Sequence, residues 1–121
     1  MGFSSAPAQA STAPVHVCTT GSTNRNIETC LYIYGSGLQV TKAVASAAVR
    51  TNGRVLRVVL TGPSGPKATM SPAYVGPGDT GQCAWAPKHR AVARGVYQAK
   101  TYRQNPNGTY TLVGDAQITL T

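Results

Sequence analysis

The chain has 121 residues, 41% hydrophobic and 12% charged, and its 11 bases against 3 acids give a net charge of +8. This length fits one domain with a modest two-layer core. The apolar content excludes intrinsic disorder, and 13 glycines with 8 prolines interrupt the chain too often for a helical bundle. The charge favours anionic partners, but the bases are spread along the chain, which makes nucleic acid an unlikely partner class.

The N-terminal segment carries a pattern typical of export. Ala8-Gln9-Ala10 matches the small-x-small site that signal peptidase cleaves, although no apolar h-region precedes it. Residues 1–13 are therefore interpreted as a signal-peptide remnant or, alternatively, a disordered tail, and residues 14–121 as the domain. No apolar run approaches the roughly 20 residues that cross a bilayer. The sequence thus predicts a secreted protein without a transmembrane segment.

Two cysteines fall on the first two predicted strands, residues 15–19 and 29–34. Cys18 and Cys30 both lie on the side opposite the apolar positions, where cysteines on adjacent antiparallel strands can reach disulfide distance. A Cys18–Cys30 disulfide would stabilise the fold by roughly 2–3 kcal/mol and suits an oxidising compartment. Cys30–Cys83 is the alternative, because connectivity does not follow from sequence.

Cys83 is then left with a free thiol, predicted to be a buried small hydrophobe beside Trp85. Activation by His89, which would make it a nucleophile, is the alternative. A metal site is not predicted, since only His16 and His89 could join the cysteines and neither forms a zinc spacing.

The middle of the chain is predicted to form β-strands. Residues 38–49 are rich in alanine, but their apolar positions alternate and no helix cap precedes them, which favours a strand. Asn52-Gly53 is a hairpin signal, and residues 54–61 alternate as a central strand. The side chains predicted to point inward there are Leu56, Val58 and Leu60; those predicted outward are Val55, Arg57 and Val59.

The remaining strands complete the fold class. After a predicted loop at residues 62–66 come a weaker strand at 68–74 and a strand at 82–86, followed by a long pair, 95–104 and 109–121. In the last strand one face is predicted to hold Leu112, Gly114, Ala116, Ile118 and Leu120, and the other Thr111, Val113, Asp115, Gln117 and Thr119. Seven or eight short strands predict an all-β, single-domain antiparallel β-sandwich.

The order of these features resembles an immunoglobulin-like or fibronectin-III-like sandwich. Trp85 resembles the core tryptophan of such domains, and Tyr97-Gln98-Ala99 resembles the tyrosine-corner segment. Ala99 stands where antibody domains have a cysteine, so their inter-sheet disulfide is not implied. The composition and the Ala-Gln-Ala site also resemble small exported proteins of high-G+C Gram-positive bacteria. A fold resemblance does not assign a function.

The chain shows no phosphate-binding loop, no nucleophile elbow and too few acids for paired carboxylates, so neither catalytic residues nor a cofactor are predicted. A secreted or cell-surface, non-catalytic binding or structural module is the first interpretation. One alternative is a secreted protease inhibitor that presents loop 62–70 or 71–81, with Lys67 or Met70 as the anchor. Another is a cationic effector that binds anionic envelope polymers or nucleic acid.

A contact surface for an anionic partner, either a protein or an extracellular polymer, is predicted at Lys88, Arg90, Lys100 and Tyr102. Lys100 and Tyr102 share one face of a strand if Tyr97 and Ala99 point into the core. The alternative is that these bases only keep a chain with few acids in solution.

Overall fold

A computed structural model of the protein describes residues 5–8, 15–20, 26–36, 39–87, 91–92 and 94–120. Within these ranges the backbone forms β-strands and no helix, so none that could cross a membrane. The strands are β1 Ser5–Ala8, β2 Val15–Thr20, β3 Ile27–Ser36, β4 Gln39–Val49, β5 Arg54–Gly62, β6 Gly65–Thr69, β7 Ala73–Val75, β8 Thr80–Trp85, β9 Ala91–Val92, β10 Gly95–Gln104 and β11 Tyr110–Leu120.

Two sheets pack against each other. The first sheet has the order β1-β11-β10-β5-β6, with β7 also paired to β5. The second sheet has the order β2-β3-β4-β8, with β9 also paired to β4. The pairs are antiparallel except for β1 on β11, which is parallel. The predicted all-β sandwich in a single domain is confirmed.

Side chains from both sheets fill the space between them. The larger ones with no exposed surface are Ile27, Leu31, Ile33, Val40, Leu56, Val58, Leu60, Tyr97, Ile118 and Leu120. Burying an aliphatic side chain of this size stabilises the fold by about 1.5–3 kcal/mol. The inward and outward sides of β5 are as predicted. The alanine-rich segment is also a strand, as predicted, and its Ala43, Ala45 and Ala47 are fully buried.

The long C-terminal pair is confirmed, but its predicted alternation is wrong at one end. The register shifts between Thr101 and Tyr102, so that Thr101 pairs with Gly114 whereas Tyr102 pairs with Leu112. Val113 is the extra residue of this β-bulge. It packs against the core, and Leu112 is turned outward with 48% of its surface exposed. From Gly114 to the end of the strand the predicted faces hold.

Polar contacts join the sheets near this bulge. The hydroxyls of Thr29 in the second sheet and Thr101 in the first form a buried hydrogen bond of 2.7 Å. Gly114 makes room for it, because a Cβ there would overlap the Thr29 hydroxyl. The Thr19 hydroxyl also donates across the interface to the carbonyl oxygen of Asp115, at 2.9 Å. The hydroxyls of Thr19, Thr29 and Thr101 are therefore hydrogen-bonded, as their burial favours.

Smaller segments differ from the predicted boundaries. The predicted loop at 62–66 is a tight turn with Gly65 at φ +120°, and strand β6 begins at Gly65. The backbone then leaves the sheet at Met70 and returns as β7. Strands β1 and β9 were not predicted; β1 lies inside the segment interpreted as a remnant or tail and pairs with β11.

Candidate functional site

The outer face of the first sheet carries one row of large side chains across three strands. Alternation in β5 and β10 directs Arg57 and Tyr102 outward, and these residues lie directly opposite each other in register. Tyr102 in turn lies opposite Leu112, which the bulge has turned to the same side. The bulge thus extends the row from β5 across β10 to β11.

This face also holds the most exposed large hydrophobic side chains in the described part of the chain. They are Tyr74 (66% exposed), Leu112 (48%), Val96 (42%) and Tyr110 (37%). Their pairing partners Val55, Tyr102, Thr119 and Gln104 assign all of them to the outer side of the first sheet. A concentration of exposed apolar groups on one face is typical of an interaction surface.

Basic side chains lie among these apolar groups. The guanidinium of Arg57 sits over the Tyr110 ring, 5.9 Å from its centroid. Lys100, two residues before Tyr102 on the same side of β10, lies opposite Asp115. We call Arg57, Lys100, Tyr102, Tyr110 and Leu112 the aromatic–basic face. Arginine stacked on tyrosine keeps its charge and its outward hydrogen-bond donors, so the face offers both stacking area and positive charge.

Asp115 is the acidic residue on this side of the sheet. Burial raises the pKa of its carboxyl group, while the charge of Lys100 and a hydrogen bond from Gln98 lower it in part. Its Oδ1 is buried and has no hydrogen-bond partner among the described residues. The carboxyl group is half-buried on the outer face, where its strand partner is Lys100.

The structure brings two of the predicted contact residues together. Lys100 and Tyr102 are half-buried neighbours on the outer side of β10, as the alternation predicted, and Tyr97 and Ala99 point into the core. Lys88 and Arg90 lie outside the described residues, so the four-residue surface stays a prediction. Arg57 and Tyr110 were not assigned to it, although the alternation of β5 had already placed Arg57 outward.

The outer face of the second sheet is built differently. The predicted Cys18–Cys30 disulfide is confirmed, between residues directly opposite each other on β2 and β3. Next to it, the His16 ring stacks on Tyr32 with 5.4 Å between centroids. Lys42 sits over Tyr34 at 5.6 Å from the ring centroid. Cross-strand partners therefore cover both tyrosines.

One cluster of potential metal ligands occurs in the described ranges. Cys18, Cys30 and the carboxylate of Glu28 have ligand atoms within 4.8 Å of one another. Metal-binding cysteines act as thiolates, and these two sulfurs are bonded to each other. The cluster in its oxidised form is therefore a disulfide with a neighbouring acid.

Cys83 has a free thiol, as predicted, and packs half-buried against the core. Burial raises the pKa of the thiol, whose sulfur lies 3.6 Å from the Val58 carbonyl oxygen. A raised pKa keeps the group protonated and weakly nucleophilic. The alternative of a Cys83–His89 pair falls outside the described residues.

The two anchors of the inhibitor interpretation are half-buried. The Lys67 ammonium donates to the Ser64 hydroxyl at 2.6 Å and lies 4.9 Å from the centroid of the half-buried Trp85 ring. Met70 packs against the core beside Gly81. Both side chains therefore contact neighbouring residues of the protein itself.

Tyr97, the tyrosine of the segment that resembles a tyrosine corner, lies within the described residues. Tyr97 lies near the start of β10 and is fully buried, which raises its pKa, but its hydroxyl has no hydrogen-bond partner within the described ranges. In a tyrosine corner that hydroxyl bonds to backbone upstream. Comparisons with known protein families and with curated proteins find no match to this chain.

Proposed function

We propose that the protein is a secreted or cell-surface, non-catalytic binding module that holds an anionic extracellular polymer against its aromatic–basic face. The observation that carries the proposal is the placement of the exposed Tyr74, Tyr110 and Leu112 on one side of one sheet, together with Arg57 and Lys100. Exposed apolar surface has a cost in water, and a partner that covers it removes that cost.

The chemistry of the face matches a charged chain molecule. Tyrosine rings give a large, rigid contact area with a polar tip, and the bases supply attraction to negative groups. The sequence has a net charge of +8, which steers anions toward the molecule as a whole. Contact area and attraction therefore occur on the same strands.

Export is part of this proposal. The intrachain Cys18–Cys30 bond supports an oxidising compartment. Cleavage after Ala10 would remove β1 and leave β11 as the edge of the first sheet, so the mature module would keep β5, β10 and β11, which carry the aromatic–basic face.

An immunoglobulin-like architecture is also proposed, on the basis of strand order. The first sheet contains β5, β10 and β11 as neighbours, in the order that the C, F and G strands have in that fold. In the second sheet β3, β4 and β8 are neighbours, in the order of the A, B and E strands. Loops and faces of this fold serve many unrelated functions, so the architecture alone supports no particular partner.

The test is retention of the purified protein on immobilised dextran, carboxymethyl dextran and dextran sulfate, which share one polymer backbone. We expect retention on the charged polymers and passage through unmodified dextran. A variant with Tyr110→Ser and Leu112→Ser should be retained at least about tenfold less, because burial of these side chains contributes on the order of 1–3 kcal/mol.

The matched control is Gln82→Ser with Ala84→Ser, two exposed positions on the outer face of the second sheet. This variant should bind like the unaltered protein. Equal loss in both variants, or retention that disappears entirely at about 0.5 M salt, would show that only overall charge is involved. Stoichiometric inhibition of a serine or cysteine protease would favour the inhibitor alternative instead.

A further inference from the structure

A pocket of about 630 Å³ lies at the end of the first sheet beside the aromatic–basic face. Its lining residues are Arg54 and Val55 of β5, Arg103 and Gln104 of β10, and Asn105, Pro106 and Gly108 of the β10–β11 turn. Gln104, one of the lining residues, pairs with Tyr110 of β11. Pockets of this size accommodate a small-molecule ligand or one unit of a polymer.

The lining contains two arginines and no acidic residue. Both arginines are half-buried. Arg54 Nη1 donates to the Gly53 carbonyl oxygen at 2.9 Å, and Arg103 Nη2 donates to Asn105 Oδ1 at 3.5 Å. These contacts use one donor of each guanidinium, which has five. The other donors have no hydrogen-bond partner among the described residues.

Several hydrogen bonds hold the β10–β11 turn, which forms one wall of the pocket. The Asn105 amide donates to the Thr109 carbonyl oxygen at 2.7 Å, and the Gly108 amide donates to the Asn105 carbonyl oxygen at 2.9 Å. The Asn105 side chain also donates to the hydroxyl of Thr111 at 2.9 Å. Gly108 has φ +86°, which favours glycine. A braced wall positions Arg103 before a ligand arrives, which lowers the entropy cost of binding.

We propose that this pocket is an oxyanion-binding site, in which Arg54 and Arg103 together bind one phosphate, sulfate or carboxylate group. The planar guanidinium presents paired N–H groups that match two oxygens of such an anion. The inference rests on the proposed function in one respect: the anion belongs to the polymer that lies along the aromatic–basic face. The pocket then binds a charged group of a polymer that continues past the end of the sheet onto the aromatic–basic face.

The test is an NMR titration of the full chain with inorganic phosphate, sulfate and acetate in separate arms. We expect saturable shifts of the Gln104 and Gly108 amides and of the Nε–H signals of Arg54 and Arg103. The arm with the tightest binding identifies the kind of group. A variant with Arg54→Lys and Arg103→Lys keeps the charge but loses the paired donors, and it should bind at least about tenfold more weakly.

The control is Arg50→Lys with Arg94→Lys, both exposed and outside the pocket. This variant should bind the anions like the unaltered protein. The proposal would be overturned if the anions shifted the signals of Arg50 and Arg94 as much as those of Arg54 and Arg103. It would also be overturned if Arg54→Lys with Arg103→Lys left the affinity for the anions unchanged. Absence of saturable shifts at the pocket in all arms would overturn it as well.

The polymer experiment separates this inference from the function it rests on. If Tyr110→Ser with Leu112→Ser abolishes retention on charged dextran while the small-anion titration shows no pocket, the binding face stands and the oxyanion site fails. If the pocket binds anions but Tyr110→Ser with Leu112→Ser leaves retention on charged dextran unchanged, the oxyanion site stands and the aromatic–basic face fails.

Discussion

Aromatic side chains on the outer faces of the two sheets differ in how much of their surface is exposed. On the second sheet, Tyr32 is stacked on His16 and lies near the Cys18–Cys30 bond, so its ring is covered by its own neighbours. On the first sheet, Tyr110 and Leu112 keep 37% and 48% of their surface exposed. Tyr32 is thus half-buried beside its cross-strand partner, whereas Tyr110 stays exposed although Arg57 lies over its ring.

This difference assigns separate roles to the two faces. Cross-strand pairs such as the His16–Tyr32 stack contribute to the stability of the sheet that contains them. Exposed side chains contribute little to folding, and their removal should change binding instead. The second sheet is therefore expected to be the structural half of the molecule, and the first sheet the half that meets a partner.

The largest expected effect is loss of the disulfide. Replacing both cysteines, Cys18→Ser with Cys30→Ser, should lower the free energy of unfolding by about 3 kcal/mol, because the closed loop no longer restricts the unfolded chain. Urea unfolding monitored by Trp85 fluorescence measures it. Retention on charged dextran should persist below the unfolding transition. If the double variant stays folded yet loses retention, the second face is not merely structural.

The next effect concerns the contact between the two halves. Gly114→Ala should cost about 1–3 kcal/mol, because the new methyl group meets Thr29 and the sheets must separate slightly. Adding Thr29→Ala removes the overlapping hydroxyl, so the two changes together should cost less than the sum of their separate costs. Strictly additive costs would show that Gly114 is not held against Thr29.

Much of the fold follows from patterns that act over short distances. Alternation assigned the faces of β5 and of β10 near Tyr97, and it placed Cys18 opposite Cys30, because strand geometry imposes a period of two. The turn at Asn105 was equally readable from its residue types. The predicted faces of these strands were therefore correct wherever the ladder is regular.

The part of the candidate site that the sequence did not predict lies where the hydrogen-bond pattern between β10 and β11 is irregular. A bulge at Val113 shifts the alternation by one, so that Leu112, predicted on the same face as Gly114 and Ala116, lies instead on the outer face. Nothing local in the sequence marks the bulge; Gly114 accommodates Thr29, which is 85 positions away in the chain. The pocket between Arg54 and Arg103 likewise requires that β5 and β10 be neighbours, a long-range pairing that a single sequence does not reveal.

A smaller effect should distinguish the two faces by stability alone. Tyr32→Ala should lower the free energy of unfolding by about 0.5–1.5 kcal/mol more than its burial predicts, through loss of the stack on His16. Leu112→Ser, on the exposed face, should change it by less than about 0.5 kcal/mol. Denaturant titration of both variants gives the comparison. An equal cost for Leu112→Ser would mean that the first face also serves cohesion.

The smallest expected effect is the pH response of Asp115. Burial raises its pKa above the ordinary value of 3.8, so the folded protein holds this proton more tightly than the unfolded chain does. The stability that the protonated group contributes is complete below the unfolded pKa and is lost as the pH rises through the folded pKa. Asp115→Asn should therefore gain stability relative to the unaltered protein between pH 3 and neutral pH, in thermal unfolding measured across about that range. Asp79→Asn, at an exposed position, controls for the loss of one negative charge. A gain that is the same at every pH, or identical in both variants, would show that the Asp115 carboxyl is not buried on the first face.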